Sequence, residues 1–248
     1  MACTSAVKLY VNKMLNDIAG MKVLLLDPTT TGIVSVVESQ TNILQKDVFL
    51  ISQLARDKRS REQMRHLNAV VFVQPTPDNI WQLHKELEDP CYGEYHIFFT
   101  NTVQDRFLEE LAEADEFEVV KQVQEFYGDY YAIDGDVYSL HTPTRYTDAG
   151  LEPAVADRCI DGLVSVLLSL KKRPQIRYTR SSGMTRRLAD MIGARLTEDP
   201  TTKQLFDFPS EERSQSAPPV LLVLDRRASW PPPCRRPRVA ILESPSVR

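Results

Sequence analysis

Short apolar runs that alternate with amphipathic segments constrain the fold of this chain more than any other feature. Five runs have the length of a strand and are mostly apolar: residues 22–27, 48–51, 69–73, 95–99 and 130–133. Between the third and fourth runs, residues 78–88 place Ile80, Leu83 and Leu87 on one face of a helix. Continuous apolar strands separated by helices predict an α/β fold, in which a parallel sheet is covered on both faces.

Changes of composition and pattern divide the chain into four predicted segments. These are a first α/β domain at 1–140, a linker at 141–153, the start of a second α/β domain at 154–226 and a tail at 227–248. The linker is rich in Thr, Pro, Asp and Gly, which favour turns and loops. In the second domain, helices at 154–172 and 181–196 precede a buried strand at 220–224.

The tail differs sharply from the rest of the chain. It holds five prolines and five arginines in 22 residues, and it shows no apolar periodicity. Such a segment buries too little apolar surface to offset the entropy lost on ordering. We therefore expect the tail to be disordered or irregular.

The sequence offers no motif for a nucleotide, a metal or another cofactor. Its nine glycines form neither GxGxxG nor GxxxxGK[ST], so the backbone cannot approach a pyrophosphate closely. The four cysteines and four histidines are scattered, without the spacings of metal ligands. No apolar run is long enough to span a bilayer, so we expect membrane association only through a partner.

Asp27 is the one residue placed where an α/β enzyme keeps its chemistry, at the carboxyl end of the first strand. An aspartyl nucleophile needs a second carboxylate nearby to hold Mg²⁺, and none lies close in sequence. A structural role, in which Asp27 caps the next turn, is the simpler interpretation. Phosphoryl chemistry at Asp27 remains the alternative function.

Residues 107–129 carry the strongest local charge, with eight acidic residues against one basic residue, Lys121. Apolar residues recur through this segment at spacings of three and four, as along one side of a helix. They are Leu108, Leu111, Ala112, Val120, Val123 and Phe126. The segment is either a solvated helix packed on a core or a docking site for a short basic peptide.

A basic cluster lies further along the chain. Residues 171–195 hold eight lysines and arginines against one acidic residue, Asp190. Tyr178 is the only aromatic residue among them, whereas single-stranded nucleic acid is usually held by several stacking side chains. We expect a solvated or partner-facing surface here, and no nucleic-acid binding.

Several blocks of this sequence together resemble the SM family, the syntaxin-binding regulators of vesicle fusion of the Sec and Munc type. The blocks are KVLLLD, TTGIVSVVESQTNILQKDVFLI, PTPDNI, PCYGEYHIFFTN, LAEADEFEVVKQVQEFYGDYY and VSVLLSLKKRPQIRY. They occur in the family's order and span residues 6–226. The branch that they most resemble acts in endosomal, trans-Golgi and vacuolar traffic.

The resemblance implies a Rossmann-like first domain without a nucleotide, and a protein that is not an enzyme. It also implies a pocket on the outer face of that domain for the N-terminal peptide of a syntaxin-type SNARE. Carried onto this sequence, the apolar floor is Leu108, Leu111, Ala112, Val120 and Val123, and Glu125 adds acidic character at the rim. Such a protein is cytoplasmic and reaches Golgi and endosomal membranes through its SNARE partner.

The resemblance stops within one residue of Arg226, where RASWPPPCRRPRV follows in place of the family's pattern. A frameshift, a retained intron or a gene-model error explains the break best, and a purposeful short isoform is the alternative. Either way, we expect the peptide pocket to remain and the cleft that holds a larger part of the SNARE to be absent. The strand at 220–224 would then lack later sheet partners and expose a sticky edge.

Overall fold

A computed structural model describes the protein at residues 2–54, 63–142, 146–147, 150–198, 200–208, 219–225 and 238–242. The chain forms two compact units, Met1–Leu140 and His141–Arg248. The division falls between the first predicted domain and the predicted linker.

A five-stranded sheet forms the centre of the first unit. Its strands are β1 (Lys22–Leu26), β2 (Val48–Gln53), β3 (Met64–Val73), β4 (Tyr92–Phe99) and β5 (Val120–Glu125). Every pairing is parallel, in the order β2-β1-β3-β4-β5. This confirms the predicted α/β class. The inner strands are nearly continuous apolar runs because a parallel sheet covered on both faces buries both sides of each strand.

Among the described residues, five helices belong to the first unit. They are α1 (Cys3–Asn16), α2 (Pro28–Val37), α3 (Gln40–Leu44), α4 (Pro77–Glu88) and α5 (Asp105–Ala114). Helices α4 and α5 pack on one face of the sheet, where Leu83 and Leu111 join Tyr95 and Ile97 in one apolar core. α2 and α3 are separate helices, because Ser39 caps α3 by accepting from the amide of Asn42.

The spacing of the apolar residues in the acidic segment, residues 107–129, predicted a helix. The segment is not a single helix. Helix α5 ends at Ala114, and residues 120–125 form β5 at an edge of the sheet. Val120 and Val123 therefore lie on a strand. Phe126 follows β5, where it is buried and stacks on Tyr10 with 5.1 Å between ring centroids.

The run at 130–133, predicted as the fifth strand, does not enter the sheet. Tyr131–Ala132 forms β6, which pairs antiparallel with β7 (Tyr138–Ser139). The structure thus assigns the fifth place in the sheet to the less apolar sequence VKQVQE, which suits an edge strand because one side of it stays solvated.

The second unit begins with a short antiparallel pair, β8 (Tyr146–Thr147) and β9 (Gly150–Leu151). Three helices and three strands follow: α6 (Pro153–Ser169), β10 (Gln175–Tyr178), α7 (Gly183–Thr197), α8 (Pro200–Leu205), β11 (Val220–Leu224) and β12 (Arg238–Leu242). Arg195 of α7 donates to Asp161 of α6 at 2.6 Å and ties these helices together. The sheet order is β10-β11-β12.

One strand lies inside the tail that was expected to be irregular. Strand β12 pairs antiparallel with the whole of β11, from Val220 opposite Leu242 to Leu224 opposite Arg238. The sequence RVAIL is apolar enough to form a strand once a neighbouring strand offers its edge. The expected unpaired edge of β11 is thus occupied, while residues 227–237 and 243–248 of the tail lie outside the described residues.

Candidate peptide-binding surface

Helix α5 separates the predicted pocket residues into a buried and an exposed set. Leu111 is 4% exposed and belongs to the apolar core beneath the helix. Leu108 is 37% exposed, and Ala112, one turn further along, is exposed too. Residues four apart lie on the same helix face, so Leu108 and Ala112 present a small apolar strip to solvent.

Strand β5 contributes Val120 and Val123 to the same side of the sheet. Val120 pairs with Tyr95 and Val123 with Ile97, and both partners belong to the core that α5 covers. The register shifts after Tyr95, so Lys121 is an extra residue on the edge strand. This bulge lets two residues that are three apart share one face of a strand.

The two valines differ in exposure. Val120 is partly buried and packs against the apolar core. Val123 is 40% exposed, because β5 is the edge of the sheet. Leu111 and Val120 are thus buried or partly buried, whereas Leu108, Ala112 and Val123 are exposed.

Asp115 fixes the turn that joins α5 to β5. Its two carboxylate oxygens accept hydrogen bonds from the amides of Val119 and Val120, at 2.9 and 3.0 Å. Glu118 within this turn has a φ of 53°, in the left-handed region. The turn therefore sets how the helix and the edge strand lie beside each other.

Glu125 fixes the other end of the same surface. Its Oε1 accepts from the amide of Val103 at 2.8 Å, and its Oε2 accepts from the hydroxyl of Tyr127 at 3.2 Å. Burial raises the pKa of Tyr127, and the Glu125 carboxylate raises it further, so this hydroxyl stays protonated and donates. Through its bond to Val103, Glu125 positions the segment that leads into α5.

Acidic side chains surround the exposed strip. Glu109, Glu113 and Glu116 are all exposed on α5 and in the turn after it. Lys121 is the single basic residue between residues 107 and 129. A surface of this kind favours a ligand that combines a basic group with an apolar anchor.

Phe117 belongs to this region, although its role was not predicted from the sequence. It is 57% exposed in the turn between α5 and β5, with Glu116 and Glu118 on either side. Because residues 107–129 were interpreted as helical, a turn that exposes Phe117 was not expected. A large exposed aromatic residue inside an acidic turn was the available signal.

Asp27 has the structural role that was the simpler interpretation. It caps α2 by accepting from the amide of Thr30 at 2.7 Å. Its second oxygen accepts from the amide of Gln74 at 2.7 Å and from the side chain of Asn79 at 2.8 Å. Both carboxylate oxygens thus accept hydrogen bonds within the fold, and the residue is 2% exposed.

In the described part of the chain, no three His, Cys, Asp or Glu side chains lie close enough together to hold a metal ion. Among the described helices, none has the length and apolar character needed to cross a bilayer.

A model of the Sec1 family matches residues 22–233. This match covers most of both units. It also runs past Arg226, the residue at which the resemblance was expected to stop.

Two curated relatives illustrate the similarity. Vacuolar protein sorting-associated protein 45 of Dictyostelium discoideum is 42% identical over 224 residues, which are 90% of this chain and 38% of that protein. The protein of the same name from Homo sapiens is 45% identical over 222 residues, or 89% of this chain and 37% of the relative. The chain thus spans about two fifths of the length of the curated relatives it matches.

A solved structure of the SM protein Vps45 in complex with the Qa SNARE Tlg2 superimposes with a TM-score of 0.83. The two sequences are 42% identical, and the match covers 92% of this chain and 41% of the other. The fold described above is therefore that of the N-terminal part of this neighbour.

Proposed function

Because the chain belongs to the Sec1 family, as its sequence blocks predicted, we propose that it binds the N-terminal peptide of a syntaxin-type SNARE. By holding this peptide it takes part in SNARE assembly and membrane fusion. The similarity to vacuolar protein sorting-associated protein 45 supports a role in endosomal, trans-Golgi and vacuolar traffic. The protein is cytoplasmic in this proposal and reaches those membranes through the SNARE.

The observation that carries the proposal is the exposure of Leu108 and Ala112 on α5 and of Val123 on β5, in a segment rich in acidic side chains. These three residues are exposed although the floor beneath them, Leu111 and Val120, is buried or partly buried. The solved complex of Vps45 with Tlg2 supports a SNARE as the ligand class.

The energetics require both parts of the surface. Burial of one leucine-sized anchor contributes about 1.5–3 kcal/mol. A micromolar complex needs about 8 kcal/mol. Since one anchor is insufficient, the acidic rim has to add charge-assisted hydrogen bonds and steer the basic end of the peptide.

A binding function fits the buried polar groups better than a catalytic one. The carboxylate of Asp27, on which the alternative of phosphoryl chemistry depended, is used within the fold. No observation favours that alternative, and the proposed binding needs no cofactor.

The test is a calorimetric titration of the whole chain with a synthetic peptide of the Tlg2 N-terminus. We expect Leu108→Arg to weaken binding about tenfold or more, because it removes the apolar anchor contact and adds a like charge for a basic ligand. The matched control is Leu9→Arg, which makes the same change at a 52% exposed position of α1.

The expected result is wild-type affinity in the Leu9 variant and lost affinity in the Leu108 variant. Equal affinity in both variants would place the peptide elsewhere. Absence of binding by the unaltered chain would overturn the proposal.

A further inference from the structure

The outer edge of β10 has no strand paired with it among the described residues. β10 pairs only with β11, in the sheet order β10-β11-β12. The amides of Gln175 and Thr179 donate to the carbonyls of Pro219 and Val223 on the β11 side. Since backbone groups alternate along a strand, those of Ile176 and Tyr178 face the open edge, which is a template for another extended chain.

An open, shallow hollow lies on the surface of this strand. It has a volume of about 530 Å³ and is lined by Gln175, Ile176, Arg177 and Tyr178. Tyr178 is 40% exposed and offers an aromatic surface there. The surface of β10 is therefore accessible to an extended segment that runs beside it.

The charge along this edge is uniformly positive. Arg173, Arg177 and Arg180 are all exposed, and none forms an ion pair with another described residue. In contrast, Arg186 and Arg195 of α7 pair with Asp190 and Asp161. Arg173, Arg177 and Arg180, on β10 or within two residues of its ends, thus carry guanidinium groups that have no ion-pair partner among the described residues.

We propose that the edge of β10 docks an extended acidic segment of a partner protein, which adds to the sheet as a further strand. Backbone hydrogen bonds to Ile176 and Tyr178 hold the segment, and its carboxylates pair with Arg173, Arg177 and Arg180. This site lies on the second unit and is independent of the peptide surface on α5 and β5.

The open backbone groups favour a polypeptide over an anionic membrane. Lipid headgroups interact with a basic patch through their charge, and they do not pair with the alternating donors and acceptors of a strand edge. A polypeptide strand satisfies both those groups and the arginines.

The experiment uses the full chain and a capped synthetic peptide of alternating glutamate and threonine residues. We expect binding that weakens as salt is added, together with slower amide exchange at Ile176 and Tyr178. Arg177→Glu should weaken binding about fivefold or more, since the change replaces an attraction with a repulsion. Arg187→Glu is the matched control, because Arg187 is an exposed residue of the same cluster that lies on α7 and not on the strand.

Two further ligands separate the outcomes. A peptide of the same charge with proline in place of threonine should bind far more weakly, because proline cannot donate to a strand. Vesicles of phosphatidylcholine and phosphatidylserine should not bind through Arg177. Equal binding of the proline peptide, equal loss in the Arg187 variant, or binding of the vesicles alone would overturn the proposal.

Discussion

Asp27 lies at the carboxyl end of β1, where parallel α/β sheets commonly place catalytic groups. Its oxygens instead join three parts of the chain, through the amides of Thr30 and Gln74 and the side chain of Asn79. Gln74 continues the network to Asp129, since its Nε2 donates to Oδ1 at 2.6 Å. The position that holds a ligand in other folds of this class is thus closed by side-chain hydrogen bonds.

We expect Asp27→Ala to lower the free energy of unfolding by about 3–5 kcal/mol. Loss of a helix cap costs about 1 kcal/mol, and each buried donor left without an acceptor adds about 1–3 kcal/mol. Urea unfolding followed by circular dichroism measures the change. Ser39→Ala is the control, because Ser39 caps α3 at an exposed position and should cost only about 1 kcal/mol. Equal losses in both variants would contradict the structural role of the network.

At the scale of elements, the sequence predicts the buried strands but assigns the edge strand β5 to the wrong residues. β1, β3 and β4 contain continuous apolar runs, which only a sheet covered on both faces explains. β5 has no such run, and its bulge at Lys121 puts Val120 and Val123 three residues apart on one face. That spacing also fits a helix, so periodicity alone cannot separate the two structures.

Features of the candidate surface also differ in how far the local sequence predicts them. Leu108 lies on an amphipathic helix, as its local spacing indicates, and it is exposed. The internal hydrogen bonds of Glu125 and the exposure of Phe117 depend on where β5 joins the sheet, which local sequence does not determine.

Strand β12 gives a prediction at this scale. A chain that ends at residue 237 leaves β11 without its antiparallel neighbour and exposes the backbone groups of Val220–Leu224. Since unpaired edges associate with one another, we expect this variant to form dimers or larger species in size-exclusion chromatography with light scattering. The control ends at residue 242 and keeps β12. Monomeric behaviour of both chains would show that β12 does not protect the edge.

In the whole molecule, opposite charges are segregated onto different units. Residues 107–129 hold eight acidic residues against Lys121, and residues 171–195 hold eight basic residues against Asp190. Because these two segments have opposite charge, the net charge of −4 indicates neither surface. Since each surface lies on an element of its own unit, the two are expected to select ligands of opposite charge.

The proposed SNARE site requires only the first unit. All six predicted residues lie on α5 and β5, and Asp115 and Val103 hold these elements in place through hydrogen bonds within the same unit. Peptide binding is therefore expected from this chain, although it spans about two fifths of its relatives' length.

Amide hydrogen exchange, measured with and without the Tlg2 N-terminal peptide at a saturating concentration, tests this central claim most directly. We expect slower exchange within α5, the following turn and β5, and no change in these elements for the Leu108→Arg variant. Unchanged exchange throughout residues 105–125, with protection appearing elsewhere in the chain, would contradict the assignment of the peptide to this surface.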